Sequence, residues 1–463
     1  MTMGPSDRRL AWGCLLFLVA AAWRWAGLKR ADALFFTVAA ASLLALYFLS
    51  GRRPLKQDAF FWLGLLFLAY LGLQLWNTGR ELQYDADARR WLYSPPPHPR
   101  LPWSFTRREA AQMLYWFFPA WVLALCLRAP GMTRKNLGLV MRGLVFTGGA
   151  LALCGAVQFL SGSPHLIWRM PPRAISFASF GYANHAAAYF LLLAGVAAGL
   201  LFRQVFRRDR PMSRLTVAGL AVSLALCLAG ANLSLSRGGI LLAWLLAAFT
   251  AAYGMVRGWR LLRPAARVHG LVAAAVVGTA LYFAVLGVGG RAIRGEFTPR
   301  RRPAHQLVPG LAQFNLDLSD RPRLWKAAWS AFKDYPLYGT GGWGFRYVVA
   351  FYLPPEEWDY LRNNPGRANV HCDPLQFLAE FGLAGGGLMA LAAAALTVPL
   401  LGRGGLRGAV FTMSCAGLLL VAAFSLIDLP FRCPAVLWTW TAVLAALPGL
   451  TARGPSPELL VST

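Results

Sequence analysis

Four polar residues set against apolar runs carry most of the chemistry this sequence offers: Arg237, Arg321, His371 and Asn184. Arg237 stands in Ser236-Arg237-Gly238-Gly239, which runs straight into Ile240-Leu241-Leu242. A helix N-terminus turns free backbone N–H groups and partial positive charge outward, and flanking glycines let a phosphate approach closely. The same placement equally suits an interfacial arginine snorkelling to lipid phosphates. Arg321 follows Ser319-Asp320 and precedes Pro322, a helix-start pattern that puts its guanidinium at a helix mouth, as a phosphate ligand or in a structural salt bridge. His371 lies just before Asp373-Pro374, another helix start, where a helix N-terminus favours the neutral, base-competent imidazole. Asn184 opens an apolar stretch either as a cap or packing group or as a substrate contact, and His185 beside it reads as structural.

Three further segments have chemical potential. Asp85-Ala86-Asp87, in a loop over roughly 77–109, has the spacing to hold a divalent cation, and equally reads as a solvated loop. Leu324, Ala328 and Phe332, with Trp325 and Trp329 beside them, predict a helix lying at a membrane interface. Pro336-Leu337-Tyr338-Gly339-Thr340-Gly341 predicts a tight loop, and the segment from Pro354 to Arg367 an irregular one.

The elements that must position these groups are membrane spans. Hydrophobic residues make up 57% and charged residues 14% of the 463-residue chain, and about 18 or more mostly apolar residues suffice to cross a bilayer core. An all-α, polytopic fold with about twelve spans is expected, roughly at 10–28, 31–49, 59–76, 110–127, 138–160, 184–202, 214–231, 238–256, 269–288, 375–401, 408–427 and 434–450. It reads as a single membrane domain over 1–463, with a large loop at 289–373 between the ninth and tenth spans. The first span follows Met1 closely and is expected to stay as an anchor. The short loops after the even-numbered spans are basic, as are Arg8 and Arg9, which places both termini in the cytoplasm and the 77–109 and 289–373 loops outside. Lys29 and Arg30 in the first outer turn, and Arg24 within the first span, resist that pattern and are expected to snorkel.

The net charge of +27 arises largely from this bias and from attraction to anionic lipids, without need of nucleic acid. The 289–373 loop adds twelve basic residues, which loops of that length do not carry for topology; anionic headgroups explain them. Seven cysteines show no metal-ligand spacing.

Taken in order, Phe180-Gly181-Tyr182-Ala183-Asn184, Ser236-Arg237-Gly238, Arg321 four residues before Trp325, Pro336 to Gly341, and His371 through Leu375-Gln376 to Glu380-Phe381-Gly382 resemble the O-antigen ligase and O-antigen polymerase superfamily of bacterial membrane glycosyltransferases. The resemblance covers most of the chain from about 170 onward. It implies an enzyme of the bacterial inner membrane with its active site facing the periplasm and the 289–373 loop as part of that site. The donor it implies is a glycan on undecaprenyl pyrophosphate. The acceptor is a glycan, the lipid A core or a protein, so ligase, polysaccharide polymerase and protein O-oligosaccharyltransferase activities are all open. Arg237 and Arg321 would hold the pyrophosphate and His371 would assist acceptor attack, with no cofactor and no metal. Asn184, Arg323 and Glu380 are further substrate-binding candidates. Two departures from the family pattern bear on the substrate: Cys372 stands where Asn commonly follows the histidine, and Trp343 interrupts the glycines after Gly341.

A reading from another class is solute transport, since twelve spans suit a carrier. Carriers place ionisable residues and broken helices near the bilayer midplane. Here the spans are largely free of acids and the polar residues gather at their outer ends, which favours the enzyme.

Overall fold

The computed structural model describes residues 5–49, 58–79, 83–85, 90–92, 96–161, 176–206, 213–261, 287, 289–290, 293, 321–353, 369–401 and 408–451. These form a helical protein with one two-stranded antiparallel ribbon, β1 (Gln83–Asp85) and β2 (Arg90–Leu92). The helices are α1 (Pro5–Trp23), α2 (Arg30–Leu49), α3 (Ala59–Trp76), α4 (Arg107–Arg128), α5 (Arg134–Leu160), α6 (Ala183–Val205), α7 (Arg214–Leu233) and α8 (Arg237–Leu261). They continue with α9 (Arg321–Asp334), α10 (Asp373–Leu401), α11 (Ala409–Phe424) and α12 (Pro434–Thr451). Polar side chains start several of them: Asp58 accepts from Phe60 N at 3.1 Å, Thr106 from Glu109 N at 3.2 Å and Thr133 from Asn136 N at 3.3 Å.

Among the described residues nine helices are long and apolar enough to cross a membrane. The three expected spans that do not count among them differ for separate reasons. The first turn of α1 carries Arg8 and Arg9. The stretch 269–288 lies outside the described residues except for Gly287, and α11 has only 16 residues. The expected first span also ends early, at Trp23, before a 3-10 turn over Trp25–Gly27 in which Ala26 has φ 55°. Arg24 is thereby outside the span, and pairs with Asp32 at 2.6 Å instead of snorkelling alone.

At the centre lies α6, with 89% of its apolar window buried. Small residues allow this: a Cβ on Gly195 would stand 2.7 Å from Met413 O, so α6 and α11 approach backbone to backbone. The expected tenth span is broken. Within α10, Gly382 takes φ 60°, ψ −164°, which a side-chain-bearing residue rarely adopts. The predicted tight loop repairs the break: Thr340 N and Gly341 N donate to Ala379 O (3.0 Å) and Glu380 O (2.8 Å), while Leu383 N and Ala384 N donate to Pro336 O (2.8 Å) and Leu337 O (2.9 Å). Backbone groups freed inside an apolar bundle must find such partners.

The amphipathic helix α9 is present, beginning at Arg321. Its buried face is Leu324, Ala327, Ala328 and Ala331, packed with Phe345, Val348 and Val349, while Trp329 is 49% exposed. The stripe is thus shifted toward the alanine side of the sequence pattern, with Ala327 and Ala331 buried and Phe332 only partly so, because a protein surface covers it.

Candidate functional site

Several helix ends meet at one end of the bundle. They are the start of α6, the start of α9, the start of α10, and the turn from Ser425 to Cys433 that joins α11 to α12. That turn holds Asp428, whose side chain is 1% exposed. Four groups from three other segments converge on its carboxylate. The Tyr182 hydroxyl donates at 3.3 Å, the Asn184 amide donates to Oδ2, Arg321 Nη2 lies at 3.4 Å, and His371 Nδ1 at 3.8 Å. Leu429 N donates to Oδ1 at 2.8 Å. Burial is the largest single influence on the Asp428 carboxyl and pushes it up. Against it act His371, the Leu429 N–H and the Arg321 guanidinium, and together they hold it below the usual carboxylate range. Tyr182 is the converse case: burial first and the Asp428 charge second push its hydroxyl well up, so it remains a donor.

His371 is held in place from both sides. Val370 N donates to Gln376 Oε1 at 3.0 Å, and Asp373 N donates to Ser425 O at 2.8 Å, at the start of the Asp428 turn. His371 itself has φ 53°, a left-handed conformation uncommon for such a side chain and sustained only where the surroundings over-determine it. Its Nδ1 lies 3.8 Å from the Asp428 carboxylate, longer than a hydrogen bond and an ion pair only when the ring is protonated, though catalytic hydrogen bonds commonly tighten when substrate binds. With Nδ1 turned to the carboxylate, the other ring nitrogen is the one left to take a proton. Burial pushes the neighbouring Cys372 thiol up, which disfavours a thiolate there.

Arg321 donates through Nη1 to Ile427 O and through Nη2 to Asp428. Its Nε is buried without a partner among the described residues, leaving hydrogen-bonding capacity for an anion. Arg237 heads α8 beside this cluster: a Cβ on Gly238 would stand 2.8 Å from the ring of Phe424, the last residue of α11 before the Asp428 turn. Gly239 N donates to Ser236 Oγ at 3.0 Å, which caps the start of α8. Arg323 projects from the exposed side of α9. His185 fixes the turn, with Nε2 3.1 Å from Leu429 O.

Glu380 belongs to a second, fully enclosed network. It is 0% exposed, pairs with Arg432 Nη2 at 2.6 Å and accepts from Gln376 Nε2 at 2.8 Å. Arg432 also lies 3.6 Å from Asp373 and stacks on the Trp343 ring, which Arg346 covers at 3.6 Å. The spans are therefore less free of acids than their composition implies. The β1 strand contains the backbone of Asp85, while Asp87, the basic residues Arg291, Arg294, Arg300, Arg301 and Arg302, and the 354–367 segment lie outside the described residues.

The order of these motifs along a helical bundle, with Arg237, Arg321 and His371 at its helix starts and Glu380 two turns into α10, can be compared with known families. Residues 222–390 match the O-antigen ligase family. That likeness supports the O-antigen ligase/polymerase superfamily, and it spans Arg237, Arg321, His371 and Glu380. It supports glycosyl transfer of the O-antigen ligase or polymerase type by a multi-pass membrane protein, with a glycan or lipid-linked donor and an acceptor in the membrane. No curated protein matches the chain. Asn184, Tyr182, Asp428 and Arg432 lie outside the matched segment, and Asp428 was missed from sequence altogether.

Proposed function

We infer that the chain is an O-antigen ligase-like glycosyltransferase of the inner membrane, moving a glycan from undecaprenyl pyrophosphate to an acceptor on the periplasmic face. The observation that carries this is the convergence of Arg321, His371 and Asn184 on one buried carboxylate at helix starts. Arg321 and Arg237 bind the pyrophosphate, their guanidinium forks matching its oxygens. The acceptor hydroxyl attacks the anomeric carbon of the donor sugar as the bond from that carbon to the pyrophosphate oxygen breaks. His371 takes the hydroxyl proton, Asp428 orients the ring and balances the imidazolium, and the arginines stabilise the charge left on the pyrophosphate. No step requires a metal or cofactor. The site leaves polymerase and protein O-oligosaccharyltransferase activity as variants of this chemistry, since they share the donor.

Well-folded Arg321→Ala and Arg237→Ala variants are expected to transfer two to three decades more slowly, on the order of 2–4 kcal/mol of transition-state stabilisation. Lysine should restore only part of the rate, because a point charge lacks the fork. Transfer by purified protein from a polyprenyl-pyrophosphate glycan measures this, and wild-type rates in both alanine variants would remove the assignment.

Solute transport has one observation in its favour, the break of α10 at Gly382 next to buried Glu380. The 336–341 loop already occupies the freed backbone groups, however, and Arg432 neutralises Glu380. A carrier's broken helix instead presents such groups to its cargo.

The orientation gives a separate expectation: both termini and the 203–213 loop are cytoplasmic, and 77–109 and 289–373 periplasmic. A single cysteine at Lys326, exposed on α9, should react with a membrane-impermeant maleimide in intact cells whose outer membrane is permeabilised. Labelling only after lysis would invert the topology and remove the periplasmic site with it.

A further inference from the structure

A cleft of about 230 Å³ opens among the 3-10 turn at Trp25–Gly27, the first turns of α2 and α4, and α12. Lys29, Arg108, Gln112, Tyr115, Trp116 and Phe36 supply its chemistry. Both charged lining residues are cations. The acids next in sequence point elsewhere: Asp32 is buried against Arg24 at 2.6 Å, and Glu109 is buried with Tyr347 OH donating to it at 3.3 Å. Lys29 Nζ sits 3.8 Å above the Trp25 ring, which holds the ammonium at the cleft. The described lining of the cleft thus supplies no acid to offset these charges, and the nearest one, Glu109, is buried outside it although it feels the Arg108 charge.

A second observation points to a lipid rather than a soluble anion. The turns of α2 that continue from the cleft expose Leu34 (70%), Phe35 (47%) and Val38 (55%), and Tyr115 on α4 is 38% exposed. Cations at a helix end above a bare apolar flank match a phosphate headgroup above its acyl chains. The cleft is walled off from the Asp428 cluster. Trp116 packs against Trp343 at 5.5 Å, and Trp343 carries the Arg346 and Arg432 guanidiniums.

We propose that this cleft is a separate binding site for a phosphate-bearing lipid, with Lys29 and Arg108 on the headgroup phosphate and the acyl chains along α2. The proposal rests on the membrane reading and not on glycosyl transfer, so its test reads binding and leaves the transfer reaction untouched. Full-length protein in detergent micelles is titrated with dioleoyl phosphatidic acid and followed by native mass spectrometry, with dioleoyl phosphatidylcholine and inorganic phosphate as comparators. One saturable phosphatidic acid adduct is expected, weakened about 30-fold in Lys29→Ala/Arg108→Ala, as two headgroup-level cations are removed. Ala111→Trp, which fills the cleft without altering charge, should lose it likewise, while Lys29→Arg/Arg108→Lys should keep it. Should the double alanine variant not fold, the last two variants decide. Undiminished affinity in Ala111→Trp or in the folded double variant overturns the site. Displacement by equimolar inorganic phosphate, or equally tight phosphatidylcholine binding, overturns the headgroup assignment.

Discussion

His371→Ala should slow glycan transfer by about 10²- to 10⁴-fold, the range of a general-base contribution, while membrane insertion and donor binding stay intact. A hydroxyl is a poor nucleophile near neutral pH, so removing the base strands the proton in the transition state. The Asp428 contact sharpens the expectation. Asp428→Asn preserves shape, but its amide can turn an N–H toward Nδ1 and select the tautomer that cannot accept the proton. A loss of two or more decades is expected there as well. The direction of the Asp428 shift fixes the pH behaviour. Held below the usual carboxylate range, Asp428 is ionised across pH 5–8, so it contributes constant charge and no limb to the pH–rate profile in that window. Because the folded carboxyl lies below its unfolded value of about 3.9, its stabilising contribution is present above that value and is lost only as pH falls through the folded one. Rates of purified enzyme over pH 5–8 measure all three proteins. An unchanged rate and profile in folded His371→Ala would leave the histidine as a helix-start residue.

The halves of this site were unequally visible in the sequence. Arg321 and His371 announce themselves because each accompanies a proline at a helix start, Pro322 and Pro374, within a polar loop. The Asn184 position was legible for another reason, a polar side chain opening an apolar run, though not its partner. Asp428 was hidden because its significance is tertiary. It sits 244 residues from Asn184 and 107 from Arg321, at the end of an apolar stretch that reads as membrane. The one local signal was an acid and an arginine, Asp428 and Arg432, bracketing Pro430 between two apolar runs. Charges stranded in so short a turn must pair or solvate. The Gly382 break was invisible for another reason: glycines are ordinary in membrane helices, and only the docking of 336–341 shows that this one changes the chain's direction. Span positions were read well where apolar runs were long, and less well at α1, where the helix stops at Trp23 although hydrophobic residues continue.

Arg432→Ala should cost about 3–5 kcal/mol of stability, the penalty for leaving a buried charge without its partner. Two buried carboxylates lose their cation at once, Glu380 at 2.6 Å and Asp373 at 3.6 Å, and Trp343 loses the guanidinium 4.5 Å from its ring centre. The damage should reach the catalytic turn, because Asp373 Oδ2 accepts from Phe431 N at 2.8 Å and Asp373 N donates into the Ser425–Asp428 turn. Glu380→Gln relieves one of the stranded charges, so combining it with Arg432→Ala should recover part of the loss. Denaturation of the purified protein in detergent across the four-member cycle measures this coupling, and an interaction energy of at least 1 kcal/mol is expected for groups in direct contact. Strict additivity of the two single changes would show that Arg432 and Glu380 do not support one another. The enclosed network would then have no bearing on how His371 and Asp428 are held.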